Sequence, residues 1–232
     1  MAVPVRFSWC FLVVNLAGIL LYGILLYQFF PVNGTLDHAL IAPWLTPQGI
    51  FFERDNWWLT HIAHQAVKQL IIVMLLVLLV QFVASFYVSK WRDYRWPAGY
   101  VLCSALVSTL LVGLLKSHSA HACPWSLVQV NHQGFDWLLY SQHAGHCFPG
   151  GHASAGFGLI ALFFAYWQAQ PRKAVLYLLA ALILGFAMGW GQMMRGAHFL
   201  SHNLWTLWVC WAVNLLGCVL VAWQARFELF RR

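Results

Sequence analysis

Four side chains in this sequence suit the binding of an anion and the transfer of protons: Lys116, His152, Arg195 and His202. Lysine supplies a point charge, and arginine supplies a planar fork that matches phosphate oxygens. Histidine can act as a nucleophile or as a general acid. The chain has only six acidic residues, and none adjoins these four positions. Cations and histidines without nearby acids favour an anionic substrate such as a phosphate.

His152 closes the segment HCFPGGH at 146–152, directly before an apolar run. Pro149, Gly150 and Gly151 predict a sharp turn, and a glycine lets the backbone approach a ligand closely. The N–H groups at the start of a helix add further donors for an anion. The segment therefore predicts a phosphate-binding site formed by Gly150 and Gly151, with His152 beside it.

Apolar helices must position these residues, because only 8% of the side chains are charged and the mean hydropathy is +0.69. Soluble domains are about a quarter charged, so the sequence indicates an integral membrane protein. The formal charge of +7 is scattered between apolar runs rather than clustered, which argues against a nucleic-acid partner. We predict an all-α, six-helix transmembrane bundle that forms one domain over 1–232. The predicted spans are 8–30, 67–89, 98–115, 151–169, 174–193 and 203–224.

The distribution of Lys and Arg predicts the orientation of these spans. With both termini in the cytoplasm, nine basic residues lie inside and four lie outside, as the positive-inside rule requires. The same topology places all 11 histidines at the outer face. The outer face is therefore the predicted chemical face.

Two other segments have structural interpretations. The first outer connection predicts a short amphipathic helix on the membrane surface, with Trp57 and Trp58 at the interface. We favour this interpretation over a pair of metal ligands formed by His61 and His64. The segment GFAMG at 185–189 predicts a close contact between helices.

Three alternatives stay open for the histidines. A zinc site could draw on nitrogen and sulfur ligands, haem could be held between facing helices, and the histidines could be satisfied interface residues. The candidate zinc ligands are His118, His121, Cys123, His143, His146 and Cys147. No metal and no cofactor is expected under the phosphate interpretation.

The motifs resemble those of the phosphatidic acid phosphatase type 2 (PAP2) superfamily of membrane lipid phosphatases. Its three motifs are Lys-x6-Arg-Pro, Pro-Ser-Gly-His and Ser-Arg-x5-His-x3-Asp. Here KSHSAHACP begins at Lys116, PGGH spans 149–152, and MRGAHFLSHNLWT contains Arg195 and His202. The resemblance implies that His202 takes the phosphoryl group and that His152 protonates the leaving oxygen. It also implies that Lys116, Arg195 and Gly151 hold the phosphoryl oxygens.

The sequence departs from the family pattern in all three motifs. Cys123 replaces the arginine of the first motif, and Gly150 replaces the serine of the second. Six residues rather than five separate Arg195 from His202, and the aspartate that would orient His202 is missing. The candidate orienting residues are Thr206, Asn203, His198 and Asp136.

Cys123 and Cys147 lie at the two ends of one outer loop. In an oxidising periplasm they predict a disulfide, worth about 3–4 kcal/mol in the chain-entropy model.

The resemblance implies hydrolysis of a phosphomonoester or diphosphate on a membrane lipid. Candidates are undecaprenyl diphosphate, phosphatidylglycerol phosphate, phosphatidic acid and lipid A phosphates. A phosphotransferase of the same fold and a non-catalytic, lipid-binding or metal-binding membrane protein are the alternatives. The expected location is a bacterial inner membrane with the site facing the periplasm, and the sequence sets no oligomeric state.

Overall fold

The computed structural model describes residues 7–139 and 145–230, without the side chains of residues 64 and 225–230. His143, one of the candidate zinc ligands, lies outside the described residues. Most of the described chain is helical. The α-helices are α1 (Trp9–Phe29), α2 (Thr35–Ile41), α3 (Val67–Ala84), α4 (Arg95–Ser117), α5 (Ala153–Phe157), α6 (Ala161–Tyr166), α7 (Pro171–Met194) and α8 (Leu200–Phe230).

Five helical segments are long and apolar enough to cross a membrane: Trp9–Phe29, Trp58–Ala84, Ser89–Ser117, Pro171–Met194 and Leu200–Gln224. They fit an integral membrane protein, and they correspond to five of the six predicted spans. The remaining predicted span, 151–169, is a shorter apolar helix, Ala153–Tyr166. At 1.5 Å per residue it is about 21 Å long, less than the hydrocarbon thickness of about 30 Å.

This short helix lies at the centre of the bundle. It comprises α5, a 3₁₀ turn at Gly158–Ile160, and α6. Phe157, Ile160 and Phe164 are fully buried, because neighbouring helices cover the segment on several sides. Its partial burial in protein rather than lipid explains how a segment shorter than the bilayer can be accommodated.

The helix α7 packs closely against α5 through glycine. A Cβ added to Gly185 would stand 2.2 Å from the ring of Phe157, and one added to Gly156 would meet the backbone of Gly185 at 2.5 Å. The predicted helix contact at 185–189 is therefore confirmed. A substitution at either glycine would force the two helices apart.

Two segments differ from the sequence-based predictions. Trp58–Ala66 is a π-helical segment that runs directly into α3, so it is not a separate surface helix. The loop between α4 and α5 contains an antiparallel hairpin, β1 (Val128–Asn131) and β2 (Gly134–Trp137), with Asn131 opposite Gly134. Gly134 has a φ of 135°, which allows the tight turn that the all-α prediction missed.

Candidate active site

Three histidine side chains form a row at one end of the bundle. His152 Nδ1 lies 3.4 Å from His198 Nε2, and His198 Nδ1 lies 3.3 Å from His202 Nδ1. His152 directly precedes α5, His198 lies in the turn between α7 and α8, and His202 is in the first turn of α8. Segments that are distant in sequence therefore meet at the imidazole row, with His198 in the middle. We call this the histidine end of the bundle.

The protons of this row are constrained. An imidazole that donates from one nitrogen accepts at the other when it is neutral. If His198 donates from Nδ1 to His202, its Nε2 keeps a lone pair that faces His152. In that arrangement His202 carries its hydrogen on Nε2, a buried atom with no hydrogen-bond partner in the described structure. The geometry can therefore supply a neutral, nucleophilic nitrogen on His198.

Burial has a strong electrostatic effect on this ring, since His198 is only 1% exposed. Desolvation lowers the pKa of His198 well below its ordinary value of 6.5, and the neighbouring His202, His152 and Lys116 lower it further. A hydrogen bond with the main chain of Cys147 acts in the opposite direction. The lowered pKa keeps the ring neutral, which is the state that a nucleophile requires.

Lys116 lies beside the glycine turn that precedes α5. A Cβ placed on Gly151 would stand 3.6 Å from Lys116 Cδ and 3.7 Å from Nζ. The lysine reaches this position from the last turn of α4, where it is half-buried. An ammonium group, a glycine backbone and His152 are thus close neighbours, and this combination of groups suits a phosphate anion.

Gly150 is tied to α8 rather than open to a ligand. Its N–H donates to the carbonyl of His202 at 3.0 Å, and its carbonyl accepts from Thr206 Oγ1 at 3.0 Å. A Cβ at this position would meet Asn203 Oδ1 at 2.6 Å. In this structure Gly150 therefore joins the turn to the helix that carries His202, and Gly151 is the glycine that faces Lys116.

The four candidate orienting residues lie in different surroundings. Thr206 donates to the main-chain carbonyl of His202 at 2.8 Å, while buried Asn203 packs beside Gly150 and Gly189. Asp136 is exposed on the hairpin and accepts a hydrogen bond from Asn131 at 2.6 Å. Of the four, His198 is the residue whose side chain the structure places in hydrogen-bond contact with the ring of His202.

Arg195 lies at the rim of this arrangement. Its Nε donates to the carbonyl of Arg54 at 2.9 Å, and its Nη1 lies 3.4 Å from Gln192 Oε1. The guanidinium of Arg54 in turn lies over the ring of Trp125, 4.8 Å from its centroid. The described contacts of Arg195 thus fix it in the turn before His198, and they do not include the three imidazoles.

A disulfide joins Cys123 to Cys147, with the Cα atoms 5.2 Å apart. It links the loop after Lys116 to the segment before Pro149, and the N–H of Cys147 also donates to the carbonyl of His121. While Cys123 and Cys147 form this disulfide, they cannot serve as the sulfur ligands of a zinc ion. The described residues contain no group of three or more His, Cys, Asp or Glu side chains arranged to hold a metal ion.

Asp37 is a residue near the candidate site that no motif in the sequence indicated. Asp37 is 4% exposed and accepts hydrogen bonds from the N–H of Ser201 at 2.9 Å and from Ser201 Oγ at 2.5 Å. Burial raises the pKa of Asp37, while hydrogen bonds from Ser201, Asn33 and Gly34 lower it. Nothing in the local sequence could have revealed this contact, because 164 positions separate the two residues.

Helices of membrane-spanning length and a histidine row beside a lysine define a membrane protein with a candidate phosphate site. A family model for the PAP2 superfamily matches residues 97–226, more than half of the chain. The chain belongs to the PAP2 superfamily, whose members are generally phosphatases. It matches no curated protein and no solved structure closely enough to count as similar.

Proposed function

We propose that this protein is a membrane phosphatase that hydrolyses a phosphomonoester or diphosphate on a lipid through a phosphohistidine intermediate. The observation that carries the proposal is the row of three imidazoles beside Lys116 and Gly151. We further propose that the site faces the periplasm of a bacterial inner membrane, because the basic residues favour the opposite side as cytoplasmic.

The geometry favours His198 as the nucleophile and His202 as its orienting partner, the reverse of the roles expected from the sequence. His198 is the central ring, with Nδ1 toward His202 and Nε2 toward His152. The third family motif supports the same assignment. Five residues separate Gln192 from His198, and three separate His198 from His202. In this register Gln192 takes the place of the motif arginine, and His202 takes the place of the aspartate.

The reaction follows from these positions. His198 Nε2 attacks phosphorus, the bond from phosphorus to the lipid oxygen breaks, and His152 donates a proton to that oxygen. His152 then accepts a proton from water, whose oxygen attacks phosphorus as the P–N bond breaks and phosphate leaves. Lys116 and the Gly151 N–H offset the charge on the phosphoryl oxygens in both steps. The incoming phosphoryl group must first displace the hydrogen bond between His152 and His198.

An apolar cleft supports a lipid substrate. A cavity of about 600 Å³ lies between α3, α4 and the central short helix. Ser154 and Ala155, two and three residues after His152, contribute to its wall. An acyl or isoprenoid chain in this cleft would extend from a headgroup placed near His152.

A second apolar cavity favours phosphotransfer as the alternative activity. It has a volume of about 410 Å³ and is lined by residues of α1, α7 and α8, including Asn15 and Trp211. A transferase needs a donor lipid and an acceptor lipid, so two separate clefts suit it. The phosphohistidine would then react with the hydroxyl or phosphate of the acceptor instead of water.

The test is phosphate release by purified protein in detergent from phosphatidic acid, phosphatidylglycerol phosphate, undecaprenyl diphosphate and lipid A. We expect His198→Ala to lower kcat by at least about 10³-fold, with the wild-type rate unchanged by EDTA. Asp136→Asn, on the exposed hairpin, is the matched control. Loss of wild-type activity in EDTA would support a metal site, and a fully active His198→Ala variant would refute His198 as the nucleophile. Transfer of labelled phosphate to an added lipid would identify a transferase.

A further inference from the structure

We propose that Asp37 is a positioning residue for the reaction: it fixes the start of α8 and thereby the alignment of His198 with His202. This inference rests on the proposed function. Asp37 belongs to α2, which lies outside the matched residues 97–226. The proposal therefore assigns a role in the active site to the N-terminal part of the chain.

The start of α8 needs a capping group from elsewhere in the chain. The first N–H groups of a helix have no partner within the helix, and a preceding Ser, Thr, Asp or Asn side chain commonly satisfies one of them. The residue before α8 is Phe199, which cannot do so. Asp37 takes over this role from a distant segment by accepting from the Ser201 N–H. Its negative charge also suits the positive end of the helix dipole.

The contact between the imidazoles of His198 and His202 lies at the start of α8. His198 lies three residues before Ser201, and His202 directly follows Ser201. The hydrogen bond between the two rings, at 3.3 Å, spans the turn into the helix. A change in the direction of the first turn of α8 would therefore lengthen that hydrogen bond or misdirect Nε2 of His198.

Helix α2 is held firmly enough to support the start of α8. The ring of His38 stacks on Trp137, with centroids 4.4 Å apart and planes within 3°. His38 Nε2 lies 2.6 Å from Asn33 Oδ1, and Asn33 Nδ2 donates to the carbonyl of Leu138 at 3.2 Å. The hairpin loop thus anchors the segment that presents Asp37. Among the described residues, Asp37 is also the only buried acidic side chain.

The test compares Asp37→Ala, Asp37→Asn and Ser201→Ala with Asp136→Asn, a control carboxylate on the exposed hairpin. We expect Asp37→Ala to lower kcat about tenfold, because a misaligned His198 attacks phosphorus less readily, with KM unchanged. Asp37→Asn keeps one acceptor oxygen and should lose less, and Asp136→Asn should match the wild type. Rates are normalised to folded protein by gel filtration and thermal melting. An unchanged kcat in both Asp37 variants, or a loss fully explained by unfolding, would overturn the proposal.

A second measurement separates this inference from the proposed function. In ¹⁵N-histidine NMR spectra, we expect the Nδ1 signals of His198 and His202 to shift in Asp37→Asn but not in Asp136→Asn. If the wild type hydrolyses no lipid phosphate, the proposed function fails, while these spectra still test the positioning role. Unshifted signals in an active enzyme would refute the positioning role alone.

Discussion

The two ends of the helix bundle differ in how they are held together. At the histidine end, three contacts join segments that are distant in sequence. They are the disulfide, the hydrogen bonds between Gly150 and α8 and the hydrogen bond between Ser201 and Asp37. At the opposite end, Arg95 is bonded to Ser85, ten residues before it, and lies over the ring of Phe86. Long-range polar contacts also occur between the spans, where Tyr100 Oη donates to the carbonyl of Asn214. At the histidine end, such contacts connect the segments that carry the candidate chemistry.

This difference has a physical reason. A connection between spans needs only to keep the helices adjacent, and local hydrogen bonds and interfacial aromatic residues are enough for that. A reaction centre must hold side chains from several elements within fractions of an ångström. Substitutions should therefore affect catalysis at the histidine end, while equivalent substitutions at the opposite end should not.

The largest effect in this comparison is expected for the two lysines at opposite ends. Lys116→Met should lower kcat/KM about 10²-fold, because it removes the cation beside Gly151 that offsets phosphoryl charge. Lys90→Met, at the opposite end, should leave kcat/KM within about twofold of the wild type, as is usual for surface substitutions. Initial rates of phosphate release over a range of lipid concentrations measure both. Equal losses in the two variants would contradict the assignment of Lys116 to the phosphate site.

A smaller effect separates the two neighbouring glycines of the turn. Gly151→Ala should fold, because its Cβ would meet Lys116 at ordinary contact distances. The added methyl group would nevertheless narrow the proposed phosphate-binding site. We expect KM to rise about tenfold, or about 1.4 kcal/mol of binding energy. Gly150→Ala should instead lower the melting temperature, because its Cβ would clash with Asn203. Thermal melting and steady-state kinetics distinguish the two outcomes, and identical behaviour would contradict the different roles of the glycines.

The sequence predicts part of this arrangement well. Apolar runs reveal the helices, because lipid requires nearly continuous apolar segments, and motif spacing reveals that Lys116, His152 and the 195–202 segment belong together. Taking Arg195 as the motif arginine pointed to His202, whereas Gln192 in that place gives His198 with the five- and three-residue spacings of the motif. The contact of Asp37 with Ser201 and the π-helical segment before α3 depend on tertiary packing, which no local pattern encodes. For the hairpin, the sequence contains one usable signal: Gly134 lies between two short stretches of β-prone residues.

The subtlest prediction concerns the charge of the residue that orients His198. An imidazole at position 202 adds no negative charge, and the pKa of His198 is lowered by burial, His202, His152 and Lys116. The acid limb of kcat/KM, which reports the free enzyme, should therefore lie below pH 6.5, the ordinary histidine value. His202→Asp would place a carboxylate against Nδ1, stabilise the imidazolium form and raise the pKa of His198. The acid limb should then move to higher pH.

His202→Asn is the matched control, because an amide can accept the same hydrogen bond without a charge. Its acid limb should stay near that of the wild type, with a lower kcat from the altered geometry. The other groups that act on the row are Lys116 on α4, His152 and His121, and all three are the same in the three proteins. A difference between the Asp and Asn profiles therefore reports the charge at position 202. Coincident profiles from pH 4 to 9, measured by phosphate release, would show that His202 does not orient the nucleophile.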